Sequence, residues 1–126
     1  LDGAAVQADR FRVARDVQSR FGGVVLLKGA GTLVDAGPAQ AVSVVTTGNP
    51  GMASGGMGDV LSGIIAGLAA QGLTLADAAR LGAVLHGAAA DRCAASHGER
   101  GLLATDLFCH LRELLNGLAP GAHAHV

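Results

Sequence analysis

The sequence predicts an α/β fold, on the order and type of its apolar segments. One amphipathic helix precedes three short apolar runs, and three helical stretches then follow in succession. Three successive helices need a sheet face to cover, and three short strands offer little of one. We therefore expect the 126 residues to form a single, partial domain, the C-terminal part of a larger unit with further strands upstream.

The first predicted element is an amphipathic helix from Ala8 to Phe21. Val13 and Val17 recur at a step of four among charged residues, and Gly22-Gly23 ends the pattern. The run Val24 to Lys28 follows and has no polar alternation in its apolar part. Such a run is typical of an interior strand buried on both faces, with helices packed against it.

Two further runs predict a pair of strands. Leu33 to Ala36 and Val42 to Val45 are rich in β-branched residues and flank the turn-prone Gly37-Pro38. We expect them to form a hairpin.

Helical periodicity begins at Asp59. The apolar stripe that follows ends at Gly72 and contains Leu61, Ile64, Ile65 and Leu68. A second helix is expected from about Leu75 to Ala95, with a face of small residues that lets a neighbouring helix approach: Ala79, Ala83, Gly87 and Ala90.

The last predicted helix follows the segment Gly101 to Ala104. Thr105 is the expected N-cap and Asp106 lies in the first turn, where an acid interacts favourably with the helix dipole. The expected apolar face consists of Leu107, Leu111, Leu114 and Leu115.

Composition argues against several classes of partner. Nine basic and ten acidic residues give a net charge of -1, without a run of like charge, so neither nucleic acid nor a membrane surface is an expected partner. The uncharged stretch between Asp59 and Asp77 is at the short limit for a membrane span and is interrupted by polar residues. Cys93 and Cys109 suit a reducing, cytoplasmic setting, and without paired ligand spacings we expect no metal site.

One glycine-rich segment has the pattern of an anion site. The Walker pattern and the dinucleotide fingerprint are both absent, which leaves SGGMGD, Ser54 to Asp59, leading directly into a helix. Unpaired N–H groups and the helix dipole favour an anion there, and Gly55, Gly56 and Gly58 let the main chain approach it. A tight turn with Asp59 as a helix cap fits the spacing equally well.

Four segments together resemble a known family. VVLLKGAGTLV, TTGNPGMASGGMGDVLSGIIAGLAAQG, LHGAAAD and GLLATDL are similar to the carbohydrate-kinase-related domain of NAD(P)H-hydrate dehydratases. The resemblance covers about Phe21 to Leu115. It implies a ribokinase-like α/β fold, with helices packed on a central, mostly parallel sheet, of which this chain is the C-terminal part.

The resemblance also implies an activity. Enzymes of this family remove water from the S form of NAD(P)H hydrate, with ADP or ATP as the phosphoryl donor and Mg²⁺ bound with the nucleotide. A homo-oligomer in the cytoplasm is expected. A vitamin-precursor kinase of the same fold and a non-catalytic nucleotide-binding fragment are the alternatives.

Roles for individual residues follow from the resemblance. Asp59 becomes the general base that accepts the hydroxyl proton, and Gly55, Gly56 and Gly58 form the anion hole. The nucleotide is expected to lie along Lys28, Gly29, Ala30, Gly31 and Thr32, although position alone favours a solvated strand end for the lysine. Asn49 is expected to shape the loop before the glycines of the anion hole and to contact nucleotide. His86 is interpreted as a packing histidine outside the site.

Overall fold

The computed structural model describes residues 2–117, which form five α-helices, three strands and two 3₁₀ turns. In chain order the elements are α1 (Gly3–Ala8), α2 (Arg10–Phe21), β1 (Val25–Leu27), β2 (Thr32–Asp35), β3 (Ser43–Val45), α3 (Met57–Ala70), α4 (Leu75–His97) and α5 (Leu107–Gly117). The 3₁₀ turns are Pro50–Met52 and Ala104–Asp106.

The sheet is antiparallel, with strand order β1-β2-β3. Leu26 pairs with Val34, and Val34 pairs with Ser43 on the other side. The expectation of a mostly parallel sheet is therefore wrong for residues 2–117. The connections 28–31 and 36–42 are too short for parallel strands, because a parallel crossover needs a dozen or more residues.

The position predicted for the first strand is also wrong. β1 lies at an edge of this sheet and is only half-buried, whereas β2 is the central strand. The apolar run therefore predicted neither the neighbours of this strand nor the extent to which residues 2–117 bury it. The predicted hairpin of the second and third strands is confirmed.

Helices pack against the sheet from α2 and from the pair α3 and α4. α2 contacts β1 and β2 through its buried side, which includes Val13 and Ala14. α4 contacts β2 and β3, and one small core joins the sheet to α3 and α4: Val34, Val45, Leu61, Ala79 and Ala83. These helices place the ends of the strands against the start of α3.

Close packing of α3 on α4 depends on a glycine. A Cβ at Gly82 would lie 2.7 Å from Cγ1 and 3.5 Å from Cα of Ile65. The predicted small-residue face of α4 is buried, as expected. Gly87, however, meets the loop at Thr47 and not a helix.

Three local predictions are corrected. α1 was not expected, and it is capped by Asp2, whose carboxylate accepts from the Ala5 N–H at 2.8 Å. Thr105 is not an N-cap, because it lies inside the second 3₁₀ turn, where Asp106 accepts from the Leu103 N–H. Leu115 was expected on the apolar face of the last helix, but it is 41% exposed. Within residues 2–117, no helix is both long and apolar enough to cross a membrane.

Candidate functional site

A cavity of about 730 Å³ opens where the β1–β2 connection, the loop after β3, α3 and α4 meet. Its wall includes all of Lys28 to Thr32, the loop residues Thr46 to Pro50, and His86 and Gly87 from α4. The predicted nucleotide segment and Asn49 are thus brought to one place. Gly55, Gly56, Gly58 and Asp59 are not part of this wall.

The two predicted phosphate elements are nevertheless adjacent. A Cβ on Gly58 would lie only 2.6 Å from Nζ of Lys28, so the ammonium group sits directly over the first turn of α3. Lys28 is exposed and directly follows β1, and Gly58 is the second residue of α3. One anion at this point can contact both a positive charge and the start of a helix.

The start of α3 has no side-chain cap. Gly56 is the N-cap residue in a left-handed conformation with φ of 85°, which glycine adopts without strain. The first intrahelical bond is donated by Val60 to the Gly56 carbonyl, at 3.1 Å, so the N–H groups before it point out of the helix end. They are available to an anion.

Asp59 is exposed in the first turn of α3. Within residues 2–117 its carboxylate takes part in no hydrogen bond or ion pair, and it caps no N–H group of this turn. A free carboxylate beside unpaired N–H groups is available to a bound molecule. The geometry does not favour the alternative interpretation of Asp59 as a helix cap.

The loop before the glycines is fixed by an acid that the sequence analysis missed. Asp91, on α4, accepts from the Gly48 N–H and from Nδ2 of Asn49, each at 2.9 Å. Oδ1 of Asn49 accepts from the Gly51 N–H at 3.1 Å. Both ends of the Asn49 amide therefore hold the loop in shape. A single acid among small apolar residues in LHGAAAD was the available signal for Asp91.

The same loop crosses α4 at a glycine. A Cβ on Gly87 would lie 2.6 Å from the carbonyl carbon of Thr47, so backbone meets backbone there. Oγ1 of Thr47 donates to the Val84 carbonyl at 3.1 Å. The loop rests on α4 and forms one wall of the cavity.

His86 is part of that wall, although we had placed it outside the site. It is 5% exposed, and Nε2 has no hydrogen-bond partner within residues 2–117. Burial lowers the pKa of His86, the positive charge of Lys28 lowers it further, and a hydrogen bond with the Met57 backbone acts in the opposite direction. The imidazole is therefore neutral near pH 7.

No group of three or more His, Cys, Asp or Glu side chains suited to a metal ion occurs within residues 2–117. Asp59 is an exposed acid on α3 between Met57 and Leu61, which both line the cavity. A metal that arrives with a phosphate ligand would find one carboxylate here.

Comparison with known proteins gives a consistent family. The family model described as NAD(P)H-hydrate dehydratase matches residues 1–113. The bifunctional NAD(P)H-hydrate repair enzyme Nnr of Vibrio cholerae is 64% identical over 88% of this chain, which corresponds to 22% of that protein. The ADP-dependent (S)-NAD(P)H-hydrate dehydratase of Neisseria meningitidis is 48% identical over 90% of the chain and 38% of its own length.

A solved structure shares the fold. The ADP/ATP-dependent NAD(P)H-hydrate dehydratase of Bacillus subtilis, co-crystallized with ATP and Mg²⁺, superposes with a TM-score of 0.81 at 30% identity. The match covers 89% of this chain and 40% of that one. The chain thus spans well under half the length of the relatives it matches, and the ribokinase-like prediction agrees with this superposition.

Proposed function

The chain belongs to the NAD(P)H-hydrate dehydratase family, and we propose that it forms the nucleotide-binding part of an enzyme that dehydrates the S form of NAD(P)H hydrate with ADP. The observation that carries this proposal is the contact of Lys28 with Gly58. This contact brings the segment Lys28 to Thr32 next to the start of α3. Transfer of a phosphoryl group needs positive charge and hydrogen-bond donors around the same phosphate, and these two elements would supply them.

Binding of the nucleotide follows from the charges at this point. The Lys28 ammonium supplies a positive charge, and the free N–H groups at the start of α3 supply directed donors. The phosphates of ADP or ATP would lie between the two elements, with the rest of the nucleotide in the cavity.

Asp59 supplies the proton acceptor. In the proposed reaction, the hydroxyl oxygen of the hydrate attacks the terminal phosphorus, the bond from phosphorus to the leaving nucleotide breaks, and Asp59 accepts the hydroxyl proton. Phosphate and a ring proton then leave, which restores the double bond of the nicotinamide. ADP becomes AMP and phosphate, and the hydrate becomes NAD(P)H.

The glycines of the turn before α3 would help to stabilise the transition state of phosphoryl transfer. Gly55, Gly56 and Gly58 have no side chains between the main chain and the transferred group, so amide N–H groups can stabilise the charge on its oxygens. Mg²⁺ is compatible with this site, since it binds through one or two carboxylates plus phosphate oxygens and neutralises phosphoryl charge. Asp59 is the residue that would contact it.

The remainder of the enzyme has to come from outside these residues. The free edge of β1 and the small sheet suit the addition of strands from an upstream segment, which would also complete the hydrate pocket. The homo-oligomer and the cytoplasmic location stay predictions. Gel filtration of the full-length protein checks the former.

The test is an assay of the full-length protein with purified S hydrate of NADH and ADP, followed at the absorbance of reduced nicotinamide. We expect NADH, AMP and phosphate to appear in equal amounts. A stable phosphorylated product would instead identify a small-molecule kinase, and binding of ADP without any product would identify a non-catalytic nucleotide-binding protein.

A further inference from the structure

Arg10 makes an unusual set of contacts behind the predicted nucleotide segment. It is the first residue of α2, and Asp9 caps that helix by accepting from the Arg12 N–H at 2.9 Å. Nη1 of Arg10 donates to the carbonyl of Ala30 at 2.7 Å and to that of Gly31 at 3.2 Å. Nη2 donates to the carbonyl of Leu27 at 3.0 Å. One guanidinium therefore binds three main-chain oxygens.

The guanidinium also lies flat against a glycine. A Cβ on Gly29 would lie 2.9 Å from Nη2 and 3.2 Å from Cζ of Arg10, and Gly29 has φ of 151°. Gly31 has φ of 68°. Two glycines at positive φ give this segment main-chain freedom, so its peptide groups need an outside partner to keep one orientation.

No acid in the described part of the chain neutralises this cation. Within residues 2–117 Arg10 forms no ion pair, and its Nε is buried without a hydrogen-bond partner. A partly buried guanidinium that binds only carbonyls is more costly than a solvated one, because part of its charge is desolvated. Arg10 itself is not among the residues that line the cavity.

The orientation of the peptide groups follows from these bonds. In a trans peptide group the C=O and the N–H of the next residue point in opposite directions. The carbonyls of Leu27, Ala30 and Gly31 point at Arg10, so the N–H groups that follow them point away from it. A carbonyl turned into the cavity would repel a phosphate, whereas an N–H there would bind it.

We propose that Arg10 is a positioning residue, which holds the segment Lys28 to Thr32 so that N–H groups and not carbonyl oxygens face the nucleotide. This inference rests on the proposed function, because it needs a phosphate-bearing ligand in the cavity. The charge of Arg10 adds to the positive potential at the segment without touching the ligand. Sequence reasoning found no role for this arginine, which lies 17 to 21 residues before its partners.

The experiment compares ADP binding and turnover in the full-length protein and in three variants. Arg10→Ala removes the guanidinium, and Arg10→Lys keeps the charge but not the fork that reaches three carbonyls. Arg15→Ala, an exposed arginine of the same helix, is the matched control. Calorimetry gives the Kd for ADP and ATP, steady-state kinetics give KM and kcat, and amide hydrogen exchange reports on residues 28–32.

For Arg10→Ala we expect a rise in the Kd for ADP of about tenfold or more, because the segment spends most of its time in other orientations. Exchange should accelerate in residues 28–32 but not in α3 or α4. At saturating ADP, kcat should return to within a few fold of wild type. Arg10→Lys should be intermediate and soluble even if Arg10→Ala fails to fold, and Arg15→Ala should match wild type.

Unchanged ADP affinity in both Arg10 variants, in a wild-type protein that binds ADP, would overturn the role of Arg10 alone. Full affinity in Arg10→Lys would show that charge matters and that the three-carbonyl geometry does not, which also refutes the proposal. A lower kcat with an unchanged KM for ADP would do the same. A wild-type protein that binds neither ADP nor ATP would overturn both the proposed function and this inference.

Discussion

The contact between Lys28 and Gly58 allows a sharp test with one added methyl group. In Gly58→Ala the new Cβ would lie 2.6 Å from Nζ and 4.0 Å from Cε of Lys28, so only the end of a flexible side chain has to move. The position is inside α3 and has no left-handed conformation. Alanine is favoured over glycine in a helix by roughly 0.5–1 kcal/mol, so the fold should be unharmed or slightly stabilised.

The cost should appear in the affinity for nucleotide. Displacing the ammonium removes a charge-assisted hydrogen bond to phosphate, which contributes about 1.5–3 kcal/mol. The Kd for ADP should therefore rise by about 10- to 150-fold, and Lys28→Ala should show a rise of the same size. Because the new methyl group is expected to act by displacing Lys28 and leaves the amide N–H groups of the turn in place, the double variant Lys28→Ala/Gly58→Ala should bind ADP no more weakly than Lys28→Ala alone.

Calorimetry with ADP and thermal melts of the same samples measure both effects. Gly63→Ala is the control, since it is on the same helix and a Cβ there meets nothing within 4 Å. It should gain stability and keep wild-type affinity. Wild-type affinity in Gly58→Ala would refute the reasoning. Full additivity in the double variant would show that the methyl group acts on the ligand directly and not through Lys28.

Three further predictions concern the same site. Asp59→Asn should keep the fold and the ADP affinity but lower kcat by about 10²–10⁴, and turnover within a few fold of wild type would remove Asp59 from catalysis. Asp91→Asn places an amide opposite the Gly48 and Asn49 donors and should lower the free energy of unfolding by about 1–3 kcal/mol, measured in thermal or urea unfolding. The control Asp77→Asn changes an exposed acid of the same helix and should lower it by less than about 1 kcal/mol. Equal effects of the two changes would contradict the role of Asp91. The pKa of His86 is lowered in the folded state from 6.5. As the pH falls, the unfolded chain therefore binds a proton at His86 more readily than the folded chain does. The stability of the fold is fully present above about pH 6.5 and is lost as the pH falls below it. His86→Asn should therefore lose less Tm than wild type between about pH 7.5 and about pH 5.5, and equal losses would contradict this.

Local features of the fold were predictable because their causes lie within a few residues of one another. The four-residue period of α2, the turn at Gly37-Pro38 and the glycines before α3 are all local signals. The turn Ser54 to Asp59 was identified as a candidate anion site in the same way, whereas the nucleotide role of the segment Lys28 to Thr32 followed from the family resemblance and not from its position. Thr105 shows the limit of local signals, because it lies inside the second 3₁₀ turn, whose start is held by the bond from the Leu103 N–H to Asp106.

Patterns among neighbouring residues were enough to predict the three strands, the helices other than α1, and the family. The antiparallel strand order and the edge position of β1 were visible only in the tertiary structure. It also decided the partners of Arg10 and Asp91, which lie 17 to 21 and 42 to 43 residues away along the chain. Those contacts depend on how helices dock on the sheet, and docking is governed by packing of distant surfaces that no local pattern records.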